Sequence, residues 1–165
     1  MITIISGTNR KGNNSHKIAN AYLKILKEKK IQAKIFALDE QEVFTRNEAF
    51  IKLEAEFLIK AEKFIFIIPE YNGSYPGILK LMIDNTDIPK CWGNKKALLT
   101  GVASGRAGNL RGMEHFTGSL MHIKMHVHPN RLPISSVHTL LDEEGNLKDE
   151  ATIKLITTQL EEFLA

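Results

Sequence analysis

The sequence predicts a three-layer α/β/α domain on a five-stranded parallel sheet of strand order 2-1-3-4-5. Three observations carry that expectation. Runs dominated by β-branched and aromatic residues, Ile2-Thr3-Ile4-Ile5 and Phe64-Ile65-Phe66-Ile67-Ile68 foremost, have the character of strands buried on both faces. Strand and helix patterns alternate five times, with helical segments long enough for right-handed crossovers. Polar, glycine-containing loops follow the first and third strands, and they become neighbours if the strand order reverses between those two strands.

Composition narrows the possibilities. A chain of 165 residues suits one domain with a sizeable core, and no linker or internal repeat divides it. The 25% of charged residues are mixed in sign, and the net charge of +3 comes from scattered lysines, so a nucleic-acid-binding surface is not indicated. No apolar run approaches a membrane span. The single cysteine, Cys91, rules out an intrachain disulfide, and Met1 leads straight into an apolar strand, so a reducing cytoplasm is the expected location.

The first strand, Ile2–Ile5, runs into Ser6-Gly7-Thr8-Asn9-Arg10-Lys11-Gly12-Asn13-Asn14-Ser15 and then a helix with Ile18, Ala21, Tyr22, Ile25 and Leu26 on one stripe. Asn13, Asn14 or Ser15 is the expected cap. Free amides at a helix start, hydroxyls and a basic residue suit a phosphate group, while a capped polar turn accounts for the same residues. The NTPase loop pattern and the Gly-x-Gly-x-x-Gly fingerprint are both missing.

A second strand is expected over 31–38, at a sheet edge because of Lys34. A helix pattern from Asn47 carries Phe50, Leu53, Phe57, Leu58 and Ala61 inward, and Lys52, Glu54, Glu56, Lys60, Glu62 and Lys63 are expected on its solvated face. The third strand, Phe64–Ile68, stops at Pro69-Glu70-Tyr71-Asn72-Gly73-Ser74-Tyr75-Pro76-Gly77, and a short helix follows over 78–84. Asn-Gly and Pro-Gly are turn signals. Gly73 would also let backbone amides approach a flat ligand closely.

The segment 84–94 is expected to be irregular, with Cys91 a packed thiol and Trp92 in the core or at an interface. Ala97–Thr100 is the fourth strand, and Gly101-Val102-Ala103-Ser104-Gly105-Arg106-Ala107-Gly108-Asn109 is a third small-residue loop. A helix then carries Leu110, Met113, Thr117, Leu120 and Met121. The fifth strand is expected over 123–127, with His126 and His128 on one side of it. His115, His122, His126 and His128 lack acidic or thiol ligands in register, so strand-end or subunit-contact roles are expected and no metal site is. A final helix carries Ile153, Ile156, Leu160, Phe163 and Leu164.

The string from Pro69 to Lys80, with Ile83-Asp84 after it, resembles the isoalloxazine-binding motif of the NAD(P)H-dependent FMN reductase family, whose members have flavodoxin-like folds. Gly7-Thr8-Asn9-Arg10, with Asn14 and Ser15, is similar to that family's FMN-phosphate loop, and Ser104-Gly105-Arg106 to its third loop. Asn13 departs from the family's usual serine, and Leu81 from a common asparagine.

The resemblance implies an FMN-dependent enzyme that takes hydride from NADPH or NADH and reduces quinones, azo dyes, chromate or free flavin. It implies phosphate contacts from Thr8, Arg10, Asn14 and Ser15. Ring contacts would come from Pro69, Glu70, Tyr71, Asn72, Gly73 and Ser74, with Ser104 and Gly105 at the far end. Glu70 has alternatives as a helix-start carboxylate or a subunit contact. A homodimer or homotetramer is implied, with the histidine-rich fifth strand and the Trp92 segment as candidate contacts. No residue is assigned a catalytic proton transfer or nucleophilic role. The alternative from another class is an FMN electron carrier that does not oxidise NAD(P)H.

Overall fold

Successive side chains on a strand point to opposite faces, and the run Lys63–Pro69 uses both. Phe64, Phe66 and Ile68 belong to one buried cluster and Ile65 and Ile67 to the other. A strand that is apolar on both faces needs a helical layer on each side, and the computed structural model, which describes residues 1–165, has that form.

The elements are β1 (Ile2–Ser6), α1 (Asn14–Glu28), β2 (Ala33–Ala37), α2 (Glu48–Leu53) and β3 (Lys63–Pro69). They continue as α3 (Gly77–Asp84), α4 (Ile88–Cys91), β4 (Lys96–Val102), α5 (Leu110–His122), β5 (His126–Val127), β6 (Leu132–Ile134) and α6 (Glu150–Leu164). The sheet is parallel throughout, ordered β2-β1-β3-β4-β5, with β6 also paired to β4. One helical layer is α1 and α6, packed over Ile2, Ile4, Ile65, Ile67 and Leu98. The other is α2 to α5, packed over Ile5, Phe64, Phe66 and Leu99. This is the flavodoxin-like order expected from the sequence.

The fifth lane differs from expectation. Ile123 is the C-cap of α5, and the lane is broken in two: His126–Val127 pair with Lys96–Ala97, and Leu132–Ile134 pair with Thr100–Val102. Between them the chain leaves the ladder at Pro129, which has no N–H to donate. The detour is anchored by a buried polar network. Gln159 of α6 donates to the Asn130 carbonyl at 2.8 Å and to the Leu99 carbonyl at 3.1 Å, and its Oε1 accepts from Tyr22 of α1 at 2.5 Å. Burial pushes the Tyr22 phenol well up, only partly offset by its bond to Thr100, so it stays a neutral donor.

The helix after Asn47 also departs from a simple amphipathic pattern. Asn47 caps α2 by accepting from the Phe50 amide at 2.9 Å. From Glu54 to Ile59 the helix widens to a π-helical turn. The Thr3 hydroxyl donates to the Phe57 carbonyl at 2.6 Å, and the Lys95 ammonium donates to the carbonyls of Leu58 and Ile59 at 2.9 Å each. Those donors satisfy the carbonyls left over at the end of the helix.

Glu54 is not on the solvated face but buried, with 2% exposure. Arg46 grips both its oxygens at 2.8 and 2.9 Å, the Asp87 amide donates to it at 2.5 Å and the Cys91 thiol at 3.3 Å. The segment 84–94 is therefore ordered rather than irregular. It forms α4, capped by Asp87, and buries Trp92, whose indole N–H donates to Thr86 at 2.7 Å and whose ring lies 4.8 Å from that of Phe64. Trp92 is core, not a surface available to a partner. Burial and the Glu54 carboxylate push the Cys91 thiol well up, so it is an inert packed group.

Burial alone would raise the Glu54 carboxyl, but the Arg46 guanidinium and the Asp87 and Cys91 donors outweigh it, and the group titrates below the ordinary glutamate range. A carboxyl lowered by folding stabilises the protein above its unfolded value and loses that contribution as pH falls through the folded value. Glu54→Gln is expected to cost about 1–3 kcal/mol at pH 7, at the low end because Arg46 is partly solvated. In thermal melts followed by circular dichroism, the gap to wild type should close as pH drops below about 4.3. A gap that widened in acid would contradict the assigned network.

Candidate functional site

In an open parallel sheet, ligands bind at the carboxyl ends of the strands where the order reverses. Here that point lies between β1 and β3. The Gly7 amide donates to the Ile67 carbonyl at 3.0 Å, and the Glu70 amide to the Val102 carbonyl at 3.0 Å. The three loops that follow β1, β3 and β4 are thus held side by side by continuation of the sheet's own ladder. They enclose a cleft of ≈ 280 Å³.

The first wall is the loop after β1 and the first turn of α1. Asn13, the residue that departs from the family pattern, is the cap. Its Oδ1 accepts from the His16 amide at 2.7 Å and its Nδ2 donates to the Arg10 carbonyl at 2.7 Å. The amides of Asn14 and Ser15, in the first turn, have no intrahelical acceptor. Ser15 is 1% exposed and lines the cleft, and its hydroxyl has no hydrogen-bond partner. A buried hydroxyl is almost always paired, so an orphan at a helix start is a place where a ligand oxygen fits. Lys11, also in this wall, donates to the Asp39 carbonyl and pins the loop's outer side.

The second wall is Pro69, Glu70 and Tyr71. Tyr71 reaches across to the first loop: its hydroxyl and that of Thr8 share a hydrogen bond of 2.5 Å, and the Arg10 guanidinium carbon lies 4.1 Å from the centre of its ring. That cation–π contact ties the two loops together and holds Arg10 over the cleft. Beyond Tyr71 the chain reverses. Asn72 has φ 52° and Gly73 φ 75°, and Tyr71 and Ser74 exchange amide-to-carbonyl bonds of 2.9 and 3.0 Å. Two successive positive φ values make a type I′ turn, for which Asn-Gly is the favoured pair. Ser74 shares a 2.9 Å hydrogen bond with His115 Nδ1 of α5.

The third wall is Val102, Ala103 and Ser104, backed by Val137. Its glycines serve packing more than access. A Cβ on Gly101 would stand 2.1 Å from the Gly108 carbonyl oxygen, and one on Gly108, where φ is +58°, would stand 2.6 Å from Pro133. Neither site has room for a side chain, so β4, its loop and β6 lock against one another. Gly105, by contrast, has open space around it.

Of the residues singled out from the sequence, Thr8, Arg10, Asn14, Ser15, Pro69, Glu70, Tyr71 and Ser104 line the cleft together. Asn72, Gly73, Ser74 and Gly105 stand outside its wall, on the rim turns. Lys11, Asn13 and Val137 also line it. Asn13 was signalled by its capping position. Val137 belongs to a short 3₁₀ turn after β6, and no local motif points to it.

The family model described as NADPH-dependent FMN reductase matches residues 1–139. An NAD(P)H-dependent FMN reductase of Pseudomonas aeruginosa is 35% identical over 106 residues, which cover 61% of this chain and 56% of the relative. A 2-hydroxy-1,4-benzoquinone reductase of a Burkholderia species is 27% identical over 109 residues, covering 64% of this chain and 60% of the relative. The chain thus spans less than two thirds of the length of these relatives. Among solved structures, a flavoenzyme NAD(P)H:(acceptor) oxidoreductase from Paracoccus denitrificans superposes with a TM-score of 0.81 at 20% identity, covering 99% of this chain and 94% of the other, which is a likeness of fold. A family match across most of the chain, on a sheet whose switch-point loops carry the motif residues, leads to one conclusion: the chain belongs to the NADPH-dependent FMN reductase family.

Proposed function

We propose that the protein is an FMN-dependent oxidoreductase, a single FMN-binding domain that passes electrons from NADPH or NADH to a small-molecule acceptor. The observation that carries this reading is the unpartnered, buried Ser15 hydroxyl in the first turn of α1, facing a cleft shared with Arg10 and the Pro69–Tyr71 wall. A phosphate ester is the ligand group that matches those donors: two spare amides, a hydroxyl, the positive end of a helix and a guanidinium.

In this reading Thr8, Arg10, Asn14 and Ser15 hold the FMN phosphate. Pro69, Glu70, Tyr71, Asn72, Gly73 and Ser74 take the ring, with Ser104 and Gly105 at its far end. When bound, FMN supplies the hydride-accepting and electron-passing chemistry, so the protein needs no nucleophile of its own. Glu70 is the one carboxylate in the cleft wall, and it has no acid–base partner there. The chain's task is to orient the ring and leave one side open to co-substrate and acceptor in turn.

A quinone is the acceptor we favour, because a relative is named as a benzoquinone reductase; azo dyes, chromate and free flavin are the other candidates. No helix is long and apolar enough to cross a membrane. A cytoplasmic homodimer or homotetramer is the setting we propose.

Anaerobic addition of NADPH to FMN-loaded protein should bleach the yellow band rapidly. Persistence of the colour with both NADPH and NADH would make the protein an electron carrier instead. Arg10→Ala should raise the FMN Kd about ten- to hundredfold by removing a charge-assisted phosphate contact; unchanged affinity would remove Arg10 from the phosphate site. Asn72→Gly preserves the left-handed turn and deletes only the side chain. It should weaken FMN about three- to tenfold, as loss of one neutral hydrogen bond does, with the melting temperature of the ligand-free protein unchanged. A lowered melting temperature with normal FMN affinity would make Asn72 a turn residue only.

A further inference from the structure

The chain has five arginines, and they divide sharply. Arg46 is paired with Glu54 and Arg131 with Glu114. Arg10, Arg106 and Arg111 have no carboxylate partner, and all three stand at the carboxyl end of the sheet, in or just after the loops that form the cleft. Arg10 is already engaged with the Tyr71 ring. The other two are exposed.

The backbone around Arg106 is fixed. Ser136 donates its amide to the Gly105 carbonyl at 3.0 Å, the Ser135 hydroxyl donates to the Arg106 carbonyl at 2.8 Å, and the Val137 amide donates to the Ala103 carbonyl at 3.1 Å. Arg111, in the first turn of α5, lies across the Asn72–Gly73 turn: a Cβ on Gly73 would stand 2.9 Å from its Nη1. One turn further along α5, His115 holds the same turn through Ser74. Arg111 therefore lies against the rim turn assigned to the ring, and Arg106 stands, exposed and on supported backbone, in the third loop at the same end of the sheet.

A flavin mononucleotide carries a single phosphate, and the start of α1 with Arg10 already provides for it. Arg106 and Arg111 are thus left free to meet another anion. The proposed reaction brings one: a reduced nicotinamide dinucleotide has a pyrophosphate, and in its phosphorylated form a 2′-phosphate as well. Planar guanidinium forks match phosphate oxygens in pairs. We propose that Arg106 and Arg111 bind the phosphates of the nicotinamide dinucleotide and set its affinity. This rests on the oxidoreductase reading above.

The test uses FMN-loaded wild type, Arg106→Ala, Arg111→Ala and the double variant. Each is titrated calorimetrically with the redox-inert tetrahydro forms of NADPH and NADH, and steady-state constants and FMN affinity are measured in parallel. Each single variant should weaken tetrahydro-NADPH binding about tenfold, as loss of a charged contact does. KM for NADPH should rise more than kcat falls, FMN affinity should be retained, and Arg111→Lys should restore part of the loss. A loss confined to the phosphorylated analogue assigns the pair to the 2′-phosphate, and equal losses assign it to the pyrophosphate; either supports the proposal. Unchanged analogue binding in the double variant, or a fall in FMN affinity of similar size, overturns it. Failure of the wild type to bind FMN at all would instead defeat the oxidoreductase reading.

Discussion

Everything at the cleft depends on the register of three adjacent parallel strands. Ser6 is level with Ile67 across the β1–β3 pair, and Pro69 with Val102 across the β3–β4 pair. The ladder then continues one residue into each loop, through the Gly7 and Glu70 amides. Side chains on a strand alternate between faces, so a slip of one residue would drive Phe64 and Phe66 into the layer that holds Ile65 and Ile67. The apolar faces thereby fix the register, and the register fixes which loop residues meet. Hydrophobic burial in the middle of the sheet and polar chemistry at its end are the same constraint seen at two distances.

The loops add their own fastening. Asn13 closes the first loop, Tyr71 bridges it to the second, and His115 and Arg111 brace the second from α5. Apart from the buried Thr8, the side chains that make these contacts are exposed or half-buried, so the contacts are individually modest. Their effect is to narrow the range of loop conformations before anything binds, which lowers the ordering cost of binding.

The fold was legible because strands buried on both faces carry nearly unbroken apolar runs, and such runs separated by helices admit few topologies. The cleft was legible where a loop residue also served as a cap signal, as in the Asn13–Ser15 segment, while the Asn72-Gly73 turn signal marks its rim and not its wall. What escaped depends on distant partners. Glu54 sits among alternating charges that look solvated, yet it is buried because Arg46 lies 8 residues before it and the Asp87 amide 33 residues after it. The break in the fifth lane needs Gln159 to hold the Asn130 carbonyl, a contact across 29 residues. The glycines of the third loop looked like room for a ligand, whereas Gly101 and Gly108 are required by backbone pressed against backbone and proline.

That interrupted lane bears on how copies of the chain can meet. A long unpaired strand at a sheet border is a template onto which another chain can add, the usual route to fibrous growth. Here the border beyond β4 offers only two short pieces, with a proline between them at Pro129 and another inside the second at Pro133. Both remove an amide that an incoming strand would need. On that side the sheet is closed to extension by an added strand, and β2 is left as its one continuous border strand.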